Sequence, residues 1–405
     1  MTEAFLHGQE FIELSDGIRP VKINKSAVVG VVGTAPLADP AKWPLNEPVK
    51  ILNAPRLAWT LGVQGTLLPA ILRIFAEGGG AIVVVRVDHA GDAETVLNNV
   101  VGDAAAKTGV HALLGAASRL GLRPKTLIAP GFTAQRPGGS NPVVSALLPI
   151  AKRLRARIYA DTPSTSYEAA LQWREDFASD RIVAFYPNVL AWDGPTRAYV
   201  ARPASASMAG LTARVHRDQG FWCSPSNHVL QGVGGVSAPI DWSPGDIDCE
   251  ANVLNKRGVT TIVNMGDDAA GWRRWGNRNL ADDPLWAFES VRTTLDMVYE
   301  AIDAAQRWCV DKPITPQLLL DGAEQVNRFF AYGKEQGFLI GGKCWLDPER
   351  NTPEQIKAGV WSWDIDPEAP APLEHLRYYC HRTGDDYYEA MVDELSALLT
   401  TQIAA

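Results

Sequence analysis

Residues 258–280 read GVTTIVNMGDDAAGWRRWGNRNL. The β-branched run Val259–Val263 predicts a strand. The glycines at 266, 271 and 276, set among Trp272, Arg273, Arg274 and Trp275, predict a loop that runs on to Asp283. Asp283 then stands as a helix cap with Pro284 at the first helical position. The helix expected from Pro284 places Leu285, Phe288, Val291, Leu295, Val298, Ile302, Ala305 and Trp308 three or four apart, on one apolar face. Its other face carries Arg292, Asp296, Glu300, Asp303 and Arg307, with Arg292–Asp296 and Asp303–Arg307 four apart.

Toward the C-terminus, Thr315-Pro316 opens a second helix that runs to about Glu335. Strands are expected near Gly337–Leu346, Ala358–Ile365 and Leu373–Arg382, with Trp361, Trp363 and Ile365 on one face of the middle one. Met391, Val392, Leu395, Leu398 and Leu399 give the last 20 residues helical spacing.

Toward the N-terminus, residues 91–255 alternate strand-like and helix-like pieces. Strands fall at Lys125–Ala129, Arg157–Ala160 and Ile182–Tyr186, and helices at Asn141–Leu154, Ser166–Phe177 and Ser205–Asp218. This is an α/β pattern, compatible with a parallel sheet. Before it come a helix at Leu67–Glu77, a tight turn at Gly78-Gly79-Gly80 and an apolar strand at Ala81–Val87. SAVVGVVGTAP (26–36) is a further apolar strand, and Ile18–Ile23 a short alternating one with Val21 and Ile23 on one side. Such a terminal strand pairs with its own sheet or with a neighbour's.

The bulk composition narrows the function. A chain of 405 residues suggests two or three domains. A net charge of −8 argues against a nucleic-acid binder. The start MTEAFLHGQEFIEL lacks the form of a signal peptide, and no long uncharged apolar stretch suggests a membrane helix. Five scattered cysteines without a CxxC pair fit free thiols in a reducing cytoplasm. Thirteen tryptophans favour an interaction protein.

Sites of chemistry are poorly supported. After 26–36 there is no GxGxxG, and proline stands where the helix of a nucleotide fold would open. The glycines at 78–80 precede a strand, the reverse of a phosphate loop. Gly138-Gly139-Ser140-Asn141-Pro142 has proline where a nucleophile elbow needs glycine. Cys223 and His228 are too close along a proline-containing loop to form a working pair. His375 and His381 share a face of the expected strand, but Cys380 points the other way and no third metal ligand is near. Asp282-Asp283 reads as capping, and Asp267-Asp268 as a solvated loop. The Trp272–Trp275 cluster suits an interface or core better than nucleobase stacking, given the acidic chain.

The strand, glycine loop and Trp275-Gly276-Asn277-Arg278, followed by a long helix, resemble the tail sheath proteins of contractile phage tails and R-type bacteriocins. SAVVGVVGTAP, IFAEGGGAIVVVRV, TGVHALL and NTPEQIKAGVWSWDIDPEAPAPLEHLRYYCHRT are similar to other pieces of that family in the same order, over nearly the whole chain. Asn279 departs from the threonine usual after the arginine.

The resemblance implies a mixed α/β fold, with an inner domain built from both chain ends and an outer domain from the middle. The corresponding divisions are an N-terminal arm at 1–25, an outer domain at 26–255, an inner domain at 256–385 and an extension at 386–405. It implies hexameric rings stacked around an inner tail tube protein, capped by baseplate and tail terminator proteins. No cofactor, metal, nucleic acid or membrane contact is implied. Assembly would take place in the bacterial cytoplasm and end in a virion or bacteriocin-like particle. Terminal arms would add strands to neighbouring subunits, which gives Ile18, Val21, Lys22 and Ile23 a role, with hinges near Gly17 and Gly384. Arg307, Lys312, Arg328 and Lys334, around the two inner helices, are the expected tube-facing cations. The alternative from a different class is an α/β hydrolase-like enzyme acting on a small molecule, and a third reading is a non-contractile shell or tube protein.

Overall fold

The computed structural model describes residues 26–403, apart from Pro195 and residues 267–270. The central sheet has eight strands: β1 (Val29–Thr34), β2 (Pro48–Leu52), β3 (Ala81–Val87), β4 (Thr126–Ile128), β5 (Arg157–Asp161), β6 (Ile182–Phe185), β10 (Val259–Asn264) and β11 (Trp272–Trp275). A three-stranded sheet is formed by β7 (Val189–Asp193), β8 (Ala198–Arg202) and β9 (Val233–Val236), and a two-residue ladder by β12 (Cys344–Trp345) and β13 (Asp364–Ile365). The helices are α1 (Pro55–Ala58), α2 (Leu67–Ala76), α3 (Ala93–Val101), α4 (Ala116–Leu120), α5 (Pro142–Leu154), α6 (Tyr167–Arg174), α7 (Ala204–Asp218), α8 (Glu250–Lys256), α9 (Glu289–Gln306), α10 (Pro316–Gln336), α11 (Pro353–Lys357) and α12 (Asp385–Ile403).

The spatial order of the large sheet is β11-β10-β6-β5-β4-β1-β3-β2. Every pairing from β10 to β3 is parallel, and the two edge strands β2 and β11 are antiparallel. Parallel strands need crossovers, and the helices that supply them cover both faces. Val29, Val31, Ile128 and Phe185 lie under α2 and α7. Val28, Val83, Leu127 and Ile158 point the other way, into a layer that includes α3, α5, α6 and α8. With both faces buried, the strands are apolar on consecutive residues, which explains runs such as VVGVV.

The expected α/β class and most of the expected elements are present. The three glycines form the turn between α2 and β3, with φ of 118° at Gly78 and 63° at Gly79. A Cβ on Gly79 would lie 2.7 Å from the Phe75 ring, so the position requires glycine. Asn141 caps α5 by accepting from Val144 N at 3.0 Å.

Four local expectations are corrected. The Trp272–Trp275 loop is strand β11, which pairs with β10 so that Arg274 faces Ile262. Pro284–Trp286 is only a 3-10 turn capped by Asp283, and the long helix begins at Glu289. Phe288 takes an extended backbone and bridges Arg278, which breaks the helix there. The strands expected at 337–346 and 358–365 shrink to β12 and β13. No strand forms at 373–382, because an extended segment becomes a strand only by pairing and its own unit holds no other strand among the described residues. β10 pairs with β6, so the central sheet draws strands from both sides of 255/256.

The described residues up to Pro372 form one compact unit, and those from Leu373 a second. In the second, 373–384 carries no helix or strand and α12 is exposed along its described length.

Asp161, at the end of β5, receives Ser205 N at 2.7 Å and Ser205 Oγ at 2.6 Å, and so anchors the start of α7. Burial pushes its carboxyl up to about 6, against the Ser205 hydrogen bonds that pull it down. A folded-state value above the ordinary one gives stability that is present at low pH and lost as pH rises from about 4 through about 6. Urea titrations should therefore show wild-type stability falling over that window relative to Asp161→Asn, by up to about 3 kcal/mol. Parallel pH profiles for the two proteins would refute this.

Candidate assembly interface

The charged face of α9 is buried. Glu289, Arg292, Asp296 and Glu300 are each less than 10% exposed. They meet cations carried at the starts of neighbouring parallel strands. Lys125, just before β4, pairs with Glu300. Arg157, the first residue of β5, lies 3.4 Å from Glu289 and also donates to Thr293. Arg181, just before β6, grips both oxygens of Asp296, and Arg292 reaches the same carboxylate at 2.9 Å. From β11, fully buried Arg274 pairs with Glu289 and lies 5.3 Å from the centre of the Phe185 ring and 5.5 Å from that of Tyr159. The Tyr159 hydroxyl donates to Glu289 and contacts Thr212 of α7.

Burial alone would raise the Glu289 carboxyl, but the Arg274 and Arg157 guanidiniums outweigh it and hold it below its ordinary value. Burial lowers the Lys125 ammonium despite Glu300. Each carboxylate thus depends on the cations placed around it, so the seam fixes where α9 sits. Met297, Val298 and Ala301 of α9 pack against Val326, Phe329 and Phe330 of α10. One helix therefore joins the sheet through charge and the second helix through apolar contact.

Trp275-Gly276-Asn277-Arg278 is the junction between sheet and seam. Trp275 meets Trp242 edge-on, with ring centres 5.9 Å apart. Gly276 has a φ of 136°, and a Cβ there would lie 2.9 Å from the Thr260 backbone. The Asn277 carbonyl accepts from Glu289 N at 3.0 Å, which positions the first residue of α9. Arg278 sits over the Phe288 ring at 5.4 Å. Asn279 donates to Trp286 O at 2.6 Å and accepts from Ala281 N at 2.9 Å. The motif holds the subunit together internally.

Ile18, Val21, Lys22 and Ile23, the hinge at Gly17 and the Asp267-Asp268 pair lie outside the described residues. Arg307, Lys312, Arg328 and Lys334 are all exposed. Arg307 is 3.0 Å from Asp303, Arg328 is 3.4 Å from Glu324, and Lys312 lies over Trp308 at 4.8 Å. They belong to a surface of mixed sign. In the second unit, Leu373, Tyr378 and Tyr379 are each more than three-quarters exposed, and Tyr388, Met391, Val392, Leu395, Leu398 and Leu399 make an exposed stripe along α12. Apolar area of this kind marks a surface that a partner covers.

The residues weighed for chemistry take other parts. Gly138 to Ser140 are an exposed turn before the Asn141 cap. Cys223 and His228 both contact Gln219, at 3.5 Å and 2.9 Å. His375 and His381 are exposed in the coil before α12. Among the described residues no group of three His, Cys, Asp or Glu side chains is arranged to hold a metal, and no helix is long and apolar enough to cross a membrane.

Comparisons with known proteins point one way. A family model described as phage tail sheath protein central domain matches residues 105–280, and one described as phage tail sheath C-terminal domain matches 281–380. The putative prophage major tail sheath protein of Pseudomonas aeruginosa is 34% identical over 365 residues, covering 89% of this chain and 92% of the relative. The tail sheath protein of Escherichia phage P2 is 32% identical over 401 residues, covering 96% and 98%. Among solved structures, the sheath complex of an extracellular contractile injection system in its contracted state superposes with a TM-score of 0.71 at 19% identity, covering 95% of this chain and all of that one. The contracted helical sheath of the anti-feeding prophage gives 0.69 at 20% identity, covering 93% and 98%. At these identities the superpositions establish the fold.

The seam has a direct test. Glu300→Ala leaves the Lys125 ammonium buried and unpaired, and should cost about 3–5 kcal/mol in urea unfolding. Adding Lys125→Met to Glu300→Leu should restore most of that loss. Equal instability of the single and double variants would argue against a buried ion pair.

Proposed function

The chain belongs to the phage tail sheath family, and from that premise we propose that it polymerises as stacked hexameric rings around an inner tail tube and contracts to drive the tube through a target cell envelope. It is a structural subunit of a contractile tail sheath. The single observation that carries the assembly reading is the second unit, whose apolar side chains lie open along both the coil and α12. Side chains so placed are covered when another subunit supplies the other half of a contact.

In this reading the arm containing Ile18, Val21, Lys22 and Ile23 adds a strand to a neighbour, and the segment from Leu373 does the same from the other end. Strand addition suits a moving lattice, because backbone hydrogen bonds persist while subunits swing as bodies. Residues 26–255 would form most of the outer surface, and 256–385 the side nearer the tube, with Arg307, Lys312, Arg328 and Lys334 as its contact cations. Baseplate and tail terminator proteins would cap the polymer, which forms in the host cytoplasm. The reading needs no catalytic residue and no cofactor.

Two measurements test it. Negative-stain electron microscopy of concentrated, mildly warmed protein should show wide, hollow, ring-striated tubes. Dispersed small particles, even with the tube protein added, would sink the sheath assembly. Val21→Pro removes a backbone donor from the arm and should abolish polymers while leaving a monomer with the wild-type thermal transition. Normal polymers, or a monomer that no longer folds, would count against the arm.

A further inference from the structure

Between Asp103 and Asp161 the chain holds nine Lys and Arg residues and no Asp or Glu, although the whole carries a net charge of −8. The fold gathers part of this excess at one place. The C-terminus of α5 meets the start of β4, where Lys125 Nζ donates to Leu154 O at 3.0 Å and Arg157 N to Lys125 O at 3.0 Å. Lys125 and Arg157 are consumed by the seam. Exposed Arg123 reaches only the edge of Glu300, at 4.0 Å. Exposed Lys152 and Arg153 and half-exposed Arg155 have no ion-pair partner among the described residues. Some of this charge answers the C-terminal dipole of α5, an effect that fades within a turn. The remainder faces solvent as a basic rim, with half-buried Leu120 and Leu122 beside it.

The opposite excess lies on α12. Asp385, Asp386, Glu389, Asp393 and Glu394 are its charged residues, and it has no cation. At 100° per residue, Glu389 and Glu394 flank the apolar stripe on its two sides. A helix that docks through this stripe therefore carries carboxylates along both margins. Pairing with another α12 would set like charges side by side and offer no cation to either.

We propose that α12 of one copy docks on the basic rim of a second copy, its stripe against Leu120 and Leu122 and its carboxylates toward Arg123, Lys152, Arg153 and Arg155. The proposal rests on the assembly reading above and names a contact within it. A rim of this kind steers encounter and fixes register, and weakens with salt.

The test uses the full chain and its polymerisation, followed by light scattering and sedimentation. Lys152→Glu with Arg153→Glu, and separately Glu389→Lys with Glu394→Lys, should each raise the protein concentration needed for polymers by about tenfold or more. The four changes together should recover most of the loss. Thermal melts matching wild type exclude misfolding. As a second measurement, zero-length carbodiimide treatment of wild-type polymers, made from mixed isotope-labelled and unlabelled copies, should link Lys152 to an α12 carboxylate of a different copy. Failure of the combined variant to recover, unchanged polymerisation in both pairs, or α12 carboxylates linked only to lysines other than Lys152 would each overturn the contact. So would duplex DNA binding lost in the Lys152/Arg153 variant while polymerisation stays normal, since the rim would then serve nucleic acid. If the wild-type chain forms no polymer at all, the assembly reading itself fails.

Discussion

The rest of the structure hangs on a buried ionic seam between α9 and the strand ends. Four cations, Lys125, Arg157, Arg181 and Arg274, meet three carboxylates, Glu289, Asp296 and Glu300, in a space largely closed to water. Such groups give up hydration on burial, and their mutual attraction roughly offsets that cost. The seam is thus a poor source of net stability and a strong source of position. An apolar contact tolerates sliding, whereas displacing α9 by one turn would leave several buried charges without partners. The seam thus acts as a fixed joint between the sheet and the α9–α10 pair.

The junction motif follows from the seam. Glu289 must start its helix where Arg274 and Arg157 converge, so the chain from β11 has to turn within a few residues. Gly276 allows the turn by approaching Thr260 more closely than a side chain permits. The Asn277 carbonyl then receives the first amide of α9. A motif that looks like an exposed aromatic and cationic surface is the internal fitting that brings β11 and α9 together.

This explains what was legible in the sequence. The parallel strands and their helices declared themselves because both sheet faces are apolar and the turns use glycine, asparagine and proline at their usual places. The buried face of α9 was hidden, because Arg292, Asp296 and Glu300 at helical spacing look the same whether water or a second charged layer covers them. Only the acid-free run of strand-leading cations elsewhere in the chain hints at the partner. β11 is hidden in the sequence for a related reason. Trp272 to Trp275 lacks an alternating pattern, since Arg274 occupies a core position. Alternation at the C-terminal end anticipates longer strands, but among the described residues pairing there amounts to Cys344–Trp345 with Asp364–Ile365 and a single bridge from Gly341 to Glu368.

The two units divide the physical work of a sheath subunit. The first closes both faces of its sheet and the α9–α10 contact internally, while scattered apolar side chains such as Trp59, Ile247 and Leu285 stay exposed. The second is different. Its coil and α12 leave large apolar side chains in water, a state that favours association whenever a matching surface is available. Indiscriminate association would be fatal to an ordered lattice, and the charge on α12 opposes it. Five carboxylates repel a second α12 and leave the stripe selective for a surface that carries cations. Apolar area then supplies the drive to assemble, and charge decides with what.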